Sequence, residues 1–448
     1  MRLLKSLLRR RGGRRAAVIG LDGVGLPLVS RLTAAGVMPR LSEFMQAGSV
    51  GPMLSTLPTV SSVSWAAFLS GNNPGRHGIY GFTDLDPIEF KQYFNNFSHL
   101  KGATLLDHLD RQDRKVALIN VPGTYPARPL NGLMVSGFVA INLQRAVYPP
   151  RLLPRLEEAG YKIDVDYVRA DERKEEFFCD LFDTLEKRGE ILSELARTEA
   201  WDLFVGVVTE TDRLHHYFWH AWEDEADPYH QRFLDFYARL DGVIGQVLDA
   251  VGDVPVIVMA DHGHMLIDSE FYPNAWLRDQ GLLIFKNSPP QTVADIDETS
   301  VAFVMDPGRL YLNLRGRYPT GSVDPASAES VLKDIGAGLL EVGFEGKPAL
   351  SRLYWREEIY HGELAAMAPD MVMHFNPGFD IKASLRRQEI FGRSALTGMH
   401  TYDDAFFCAT TTGMDLDGLD IIDMAPTLLA ALGADGAETM DGRDRGLR

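Results

Sequence analysis

Cysteine is nearly absent: Cys179 and Cys408 are the only two in 448 residues, they stand far apart, and neither belongs to a C-x-x-C pair. That usage excludes a disulfide framework and a thiolate metal site. It fits a reducing compartment, so a cytoplasmic location is expected. Long apolar runs are missing too: none approaches the roughly 18 residues needed to cross a bilayer, and the strongest, such as Val254 to Ala260, are strand-sized. Basic charge is in deficit, with 45 Lys and Arg against 62 Asp and Glu, and the formal net charge of −17 argues against extended nucleic acid as a ligand. There is no internal repeat and no low-complexity tract.

What remains is a chain with 45% hydrophobic and 24% charged residues, enough to bury a full core. Its first fifteen residues depart from the acidic whole, carrying seven basic groups (Arg2, Lys5, Arg9, Arg10, Arg11, Arg14, Arg15) and no acid. Leu3, Leu4, Leu7 and Leu8 form a helical stripe there, but a continuous apolar region and a small-residue cleavage site are lacking, so this is not read as a signal peptide. The expectation is a basic flexible tail over 1–15, able to touch an anionic membrane surface peripherally.

Three apolar runs share one grammar. Ala16 to Leu21 ends at Asp22, Leu203 to Val208 leads through Thr209 to Thr211 into Asp212, and Val254 to Ala260 ends at Asp261. Runs that do not alternate read as strands covered on both faces, which is the signature of a parallel sheet between helix layers. Ligands of such sheets sit beyond the carboxyl ends of the strands, where the three aspartates can meet. A lone carboxylate after a strand is as readily a helix cap. The neighbours shift that balance: His216 follows Asp212 by one helical turn, and His262 follows Asp261 directly. Oxygen and imidazole donors suit zinc or manganese better than magnesium or calcium. Two Asp/His pairs with Asp22 alongside imply two ions, which can clamp the attacking and leaving oxygens of a phosphoryl group.

A candidate nucleophile lies in LPTVSSVSWAAFLSG. The helical pattern starts near Val63, which puts Ser61 or Ser62 at its N-cap. A hydroxyl at a helix amino terminus beside a divalent cation can be both a phosphate site and a nucleophile. Physical reasoning alone leaves Thr59, Ser61 and Ser62 unseparated. His77, His215 and His264 are set aside as turn or flanking histidines, and Trp201, Trp219, Trp222 and Phe218 are read as packing.

The ordered set of Asp22 in GLDGVG, PTVSSVSWAAFLSG followed by NPGRHGIYGF, TETDRLHH, ADHGH, His400 in GMH and the closing DMAPTLLAALG resembles the alkaline phosphatase superfamily. Within it, the type I phosphodiesterase and nucleotide pyrophosphatase branch is the nearest. The resemblance implies an alkaline phosphatase-like three-layer α/β sandwich with a mostly parallel central sheet. The main core is expected over 16–264, an inserted lid over 265–396, and a return to the core over 397–448. It implies Ser61 as the nucleophile, one divalent ion on Asp212, His216 and His400, and a second on Asp22, Asp261, His262 and the Ser61 oxygen. Sulfatases are set aside because Ser61 to Trp65 lacks their proline and arginine, and alkaline phosphatases proper because Val60 replaces their aspartate. Cofactor-independent phosphoglycerate mutases are set aside because the interval from Ser61 to Asp212 is too short for their inserted domain.

The expected activity is metal-dependent hydrolysis of a phosphoric diester or pyrophosphate in a small molecule or nucleotide, through a covalent phospho-serine. A phosphomutase or phosphotransferase on the same residues, and a noncatalytic binding protein on the same fold, are the competing readings.

Overall fold

The computed structural model describes residues 14–167 and 170–448. The expected tail therefore lies almost wholly outside the described residues. Of its basic groups, Arg15 is fixed: its guanidinium lies 3.5 Å from the centre of the Trp201 ring and donates to the Trp201 carbonyl at 3.1 Å. Among the described residues no helix is long and apolar enough to cross a membrane.

An eight-stranded sheet runs in the order Ser49–Met53, Ala405–Ala409, Val256–Met259, Ala16–Leu21, Leu203–Val208, Val116–Ile119, Gly132–Val135, Val147–Tyr148. The five strands from Val256–Met259 to Gly132–Val135 are parallel neighbours, while Ala405–Ala409 and Val147–Tyr148 run against them. Every residue of Ala16–Leu21 and Leu203–Val208 is buried, as strands sandwiched between helix layers must be. In register, Leu21 lies beside Val208 and Gly20 beside Met259. Three chain ends therefore leave the sheet at one level.

The helices that carry polar groups to that edge are held by packing. Ser61–Ser70 is buried along its whole length, and its Trp65 indole presses on Gly20 so closely that a Cβ there would sit 2.6 Å from the ring. A bare strand position thus sets the distance of this helix from the sheet. Glu210–Glu223 starts directly after Leu203–Val208 and is anchored at its first residue, because Glu210 accepts from the buried Arg188 of Lys174–Thr198 at 2.9 Å. Arg188 also donates to the Ile163 carbonyl at 2.8 Å.

A second hydrophobic cluster lies within the segment after Leu266. Its four-stranded antiparallel sheet, in the order Ala302–Met305, Arg309–Leu312, Met371–Phe375, Leu350–Trp355, packs with helix Ala328–Leu340 around Phe303, Leu310, Leu339 and Met371. Arg309 forms a buried ion pair with Asp84, which ties the hairpin of Thr83–Asp86 and Lys91–Phe94 to this sheet. Chain termination follows the sequence pattern with one difference: the expected single helix over 421–432 is a 3₁₀ turn, Ile421–Asp423, followed by Met424–Leu432. Pro426 falls in the first turn of the latter, where its missing N–H is harmless.

Removing Arg188 leaves the Glu210 carboxylate buried beside Tyr161 without its cation. Arg188→Ala is expected to destabilise by about 3–5 kcal/mol, a lost buried ion-pair partner. The midpoint of urea denaturation checks it, and a midpoint within error of wild type would contradict the role given to this pair.

Candidate active site

Beyond the carboxyl edge of the sheet two donor clusters lie side by side: Asp22, Asp261 and His262 in one, and Asp212, His216, His264 and His400 in the other. Asp22 and Asp261 stand at the ends of their strands. Asp212 and His216 share a face one turn apart on Glu210–Glu223, as their spacing requires. His400 arrives from far along the chain on Gly398–Thr401, which pairs antiparallel with Gly263–Leu266 and sets His400 directly opposite His264.

The imidazoles are oriented from behind. The Nδ1 atoms of His216, His262, His264 and His400 lie 2.9, 3.0, 2.8 and 3.2 Å from the carbonyl oxygens of Gly398, Gly263, Gly23 and Thr59. A carbonyl can only accept, so each Nδ1 carries the proton and each Nε2 presents a lone pair. Those lone pairs converge on carboxylate oxygens. His216 Nε2 and His400 Nε2 are each 3.3 Å from Asp212 Oδ1, His264 Nε2 is 3.6 Å from it, and the first two nitrogens are 3.0 Å apart. In the other cluster His262 Nε2 is 3.6 Å from Asp22 Oδ1 and 3.5 Å from Asp261 Oδ2.

Acceptors facing acceptors in a buried site are the arrangement that a shared cation would satisfy. Asp212 Oδ1, Asp261 Oδ2 and His264 Nε2 are all buried without a hydrogen-bond partner. The separations also match donors that share one ion, since tetrahedral bonds of about 2.0–2.1 Å put ligand atoms about 3.3 Å apart. The residues present therefore fit a divalent metal at each cluster.

Electrostatics agree. Burial, then the Asp261 and Asp212 charges, holds the Asp22 carboxyl well above its ordinary range, and burial pushes Asp261 up to about 7. Burial also lowers His262 to about 4 and holds His264 well below the usual imidazole value, so these rings are neutral and able to ligate. Burial opposes ionisation of Asp212 as well, but His216, His400 and Arg213 outweigh it and keep that carboxylate well below its usual range.

The three hydroxyls that the sequence leaves unseparated differ in place. Ser61 Oγ lies 3.2 Å from both Asp22 Oδ1 and His262 Nε2. Thr59 donates to the Thr56 carbonyl at 3.0 Å, and Ser62 Oγ is buried without a partner on the wall of a separate small cavity. The expectation that Ser61 or Ser62 caps the helix is corrected: extended Val60 takes the cap position and Ser61 is the first helical residue. Its hydroxyl turns out to the acidic cluster instead of back to the helix amides. All seven residues expected at the site thus lie together.

Three more belong to the constellation that sequence reasoning left out. His264 joins the Asp212 cluster, and the signal was its place two residues after His262, on the same face of an extended chain. His215 donates to the Gly23 carbonyl at 2.9 Å and meets the Tyr237 hydroxyl through Nε2. Arg213 donates to Asp212 Oδ2 at 3.0 Å, which turns Oδ1 inward. His77 is a turn histidine, its Nδ1 accepting from the Ile79 amide at 3.2 Å.

A cavity of about 310 Å³ opens beside His216 and His400. Phe82, Met373, Phe375, Ile381 and Met399 supply apolar walls, and Thr83, Asp306, His374 and Lys382 supply polar ones. It is bounded on one side by Thr59 and Val60.

Comparison with known proteins was made on the sequence and on the fold. No curated protein sequence matches significantly. Among solved structures, phosphonoacetate hydrolase from Sinorhizobium meliloti 1021, in complex with phosphonoformate, is similar with a TM-score of 0.62 at 15% identity, over 94% of this chain and 95% of that one. Human ectonucleotide pyrophosphatase / phosphodiesterase 5 is similar with a TM-score of 0.59 at 12% identity, over 96% and 97% of the two chains. Its murine counterpart gives 0.56 at 12%, over 97% and 98%. These likenesses show a common alkaline phosphatase-like α/β fold. The family model described as type I phosphodiesterase / nucleotide pyrophosphatase matches residues 16–403. With the motifs, the sheet edge and nearly the full length of the chain in agreement, the protein belongs to the type I phosphodiesterase / nucleotide pyrophosphatase family of phosphoester hydrolases.

Proposed function

We propose that the protein hydrolyses a phosphoric diester or pyrophosphate through a covalent phospho-Ser61 intermediate at a two-metal site. The observation that carries this reading is the Ser61 hydroxyl poised 3.2 Å from Asp22 and His262, next to two clusters of converging lone pairs. Asp22, Asp261, His262 and Ser61 Oγ would hold one divalent cation, and Asp212, His216 and His400 another. Bound there, zinc or manganese ions supply an acidified hydroxyl and positive charge for the oxygens of the phosphoryl group.

The chain's own groups do the rest. Ser61 releases its proton to solvent and Oγ attacks phosphorus in line. The Oγ–P bond forms as the bond from phosphorus to the leaving oxygen breaks, and the leaving group departs on the side of His216 and His400, taking up a proton from solvent. The amino end of Ser61–Ser70 presents the positive pole of its dipole to the equatorial oxygens. Water then attacks phosphorus from the vacated side, the Oγ–P bond breaks, and Ser61 regains a proton.

The adjoining cavity supports a diester over a monoester. Its volume of about 310 Å³ and mainly apolar walls suit an organic leaving group, which a simple phosphate ester with a small alcohol would leave unfilled. We read 265–396 as the inserted lid that carries half of that wall, Asp306, Met373, His374 and Lys382 included. Among the fold relatives, murine phosphodiesterase 5 is solved as an inactive threonine-to-alanine variant in complex with AMP, so that protein takes a nucleotide.

Ser61→Ala is expected to lower turnover by about a thousandfold or more while metal content, measured by plasma mass spectrometry, stays near wild type. Full activity in that variant would move the nucleophile elsewhere. Prolonged chelation is expected to remove activity and zinc or manganese to restore it, and a chelator-insensitive rate would contradict the two-metal reading. With defined metal, kcat/KM on bis-p-nitrophenyl phosphate is expected to exceed that on p-nitrophenyl phosphate by about tenfold or more. The reverse order would assign a monoesterase.

A further inference from the structure

Resting on the two-metal reading above, we propose that His264 is a fourth protein donor beside Asp212, His216 and His400, so that this cluster is a three-imidazole, one-carboxylate cage and takes up its ion ahead of the carboxylate-rich cluster.

The ring is placed as ligands are placed. Its Nδ1 donates to the Gly23 carbonyl at 2.8 Å, leaving a lone pair on Nε2, and Nε2 points into the cluster 3.6 Å from Asp212 Oδ1. A packing histidine in the interior would satisfy both nitrogens, because an orphaned polar atom costs about 1–3 kcal/mol. His264 Nε2 is buried with no partner, on a residue only 4% exposed. Packing alone would be served as well by an apolar side chain in contact with Trp219.

Two further features fix the ring where it is. The antiparallel ladder sets His264 opposite His400, so both side chains project from one face of the ribbon. Gly23 then gives the ring room: a Cβ there would lie 2.6 Å from His264 Cε1, and its φ of 72° suits glycine. The Gly23 carbonyl also receives His215 Nδ1, so its position is held from two sides.

The donor sets of the two clusters therefore differ. One offers three imidazoles and one carboxylate, the other a single imidazole, two carboxylates and a hydroxyl. Imidazole favours zinc, iron, nickel and cobalt-like ions over hard cations, and each added donor raises affinity. The imidazole-rich donor set therefore takes up such an ion first.

The test uses the full chain, stripped of metal and titrated with cobalt(II), in wild type and in His264→Met. Affinities come from competition with a chromophoric chelator, and the number of imidazoles per ion from X-ray absorption at one equivalent. Wild type is expected to bind two ions, the first about tenfold or more tighter than the second, with three imidazoles on the first. In His264→Met the first affinity falls about tenfold or more, two imidazoles remain, and the second affinity holds. Two or fewer imidazoles on the first ion in wild type, or an unchanged first affinity in the variant, overturns the cage. Because the absorption spectrum is read on wild type, it decides even if the variant does not fold. One ion alone, on three imidazoles, would support the cage and overturn the two-metal reading. No bound ion would overturn both.

Discussion

The arrangement of this protein turns on lone pairs that face one another. Four imidazole nitrogens and three carboxylates converge at the sheet edge, and backbone carbonyls behind the rings prevent any of the four from relieving the conflict by turning its proton inward. In a protein interior such a set is unfavourable by several kcal/mol unless positive charge is added. Hydrophobic burial of the sheet and its helices is what holds the set together: Ala16–Leu21 and Leu203–Val208 are buried throughout, and strand register then leaves Asp22 and Asp212 little freedom. The same burial raises the strength of every interaction at the edge, because local dielectric falls as water is excluded.

How much of this is legible in the chain depends on whether the deciding contact is local. Asp22 and Asp261 announce themselves because an apolar run ended by a carboxylate marks a buried strand leaving its sheet. Asp212 and His216 do so through helical spacing. Choosing among Thr59, Ser61 and Ser62 was beyond local pattern, since a preference for serine at N-caps competes with the extended conformation that Val60 adopts. His400 was reachable only through family resemblance: its strand is paired to Gly263–Leu266 across more than a hundred residues, and nothing nearby encodes that ladder. His264 was passed over because a flanking histidine is commonly structural, and only its orphaned nitrogen tells otherwise. Strand direction was hidden in a similar way. Ala405–Ala409 reads like the other covered strands, yet it runs antiparallel between Ser49–Met53 and Val256–Met259 because of the route its chain takes, which side chains do not record.

Proton and metal occupancy are linked through the division of charge among the three aspartates. Asp212 stays ionised because Arg213 and the imidazoles face it, whereas burial and mutual repulsion favour protons on Asp22 and Asp261. A cation held by the latter pair would have to displace those protons, so its affinity would rise with pH. Asp212 in turn depends on more than its own helix. Arg213 is gripped by Asp164 at 2.6 Å and lies over the rings of Phe138 and Tyr167, 4.5 and 4.7 Å from their centres. Loops on that flank therefore set which oxygen of Asp212 faces inward. Phe138 also packs edge to face with Phe82, at 5.5 Å between ring centres, and Phe82 lines the cavity beside His216 and His400. A continuous chain of contacts thus runs from a wall of the cavity through Phe82, Phe138 and Arg213 to the Asp212 carboxylate.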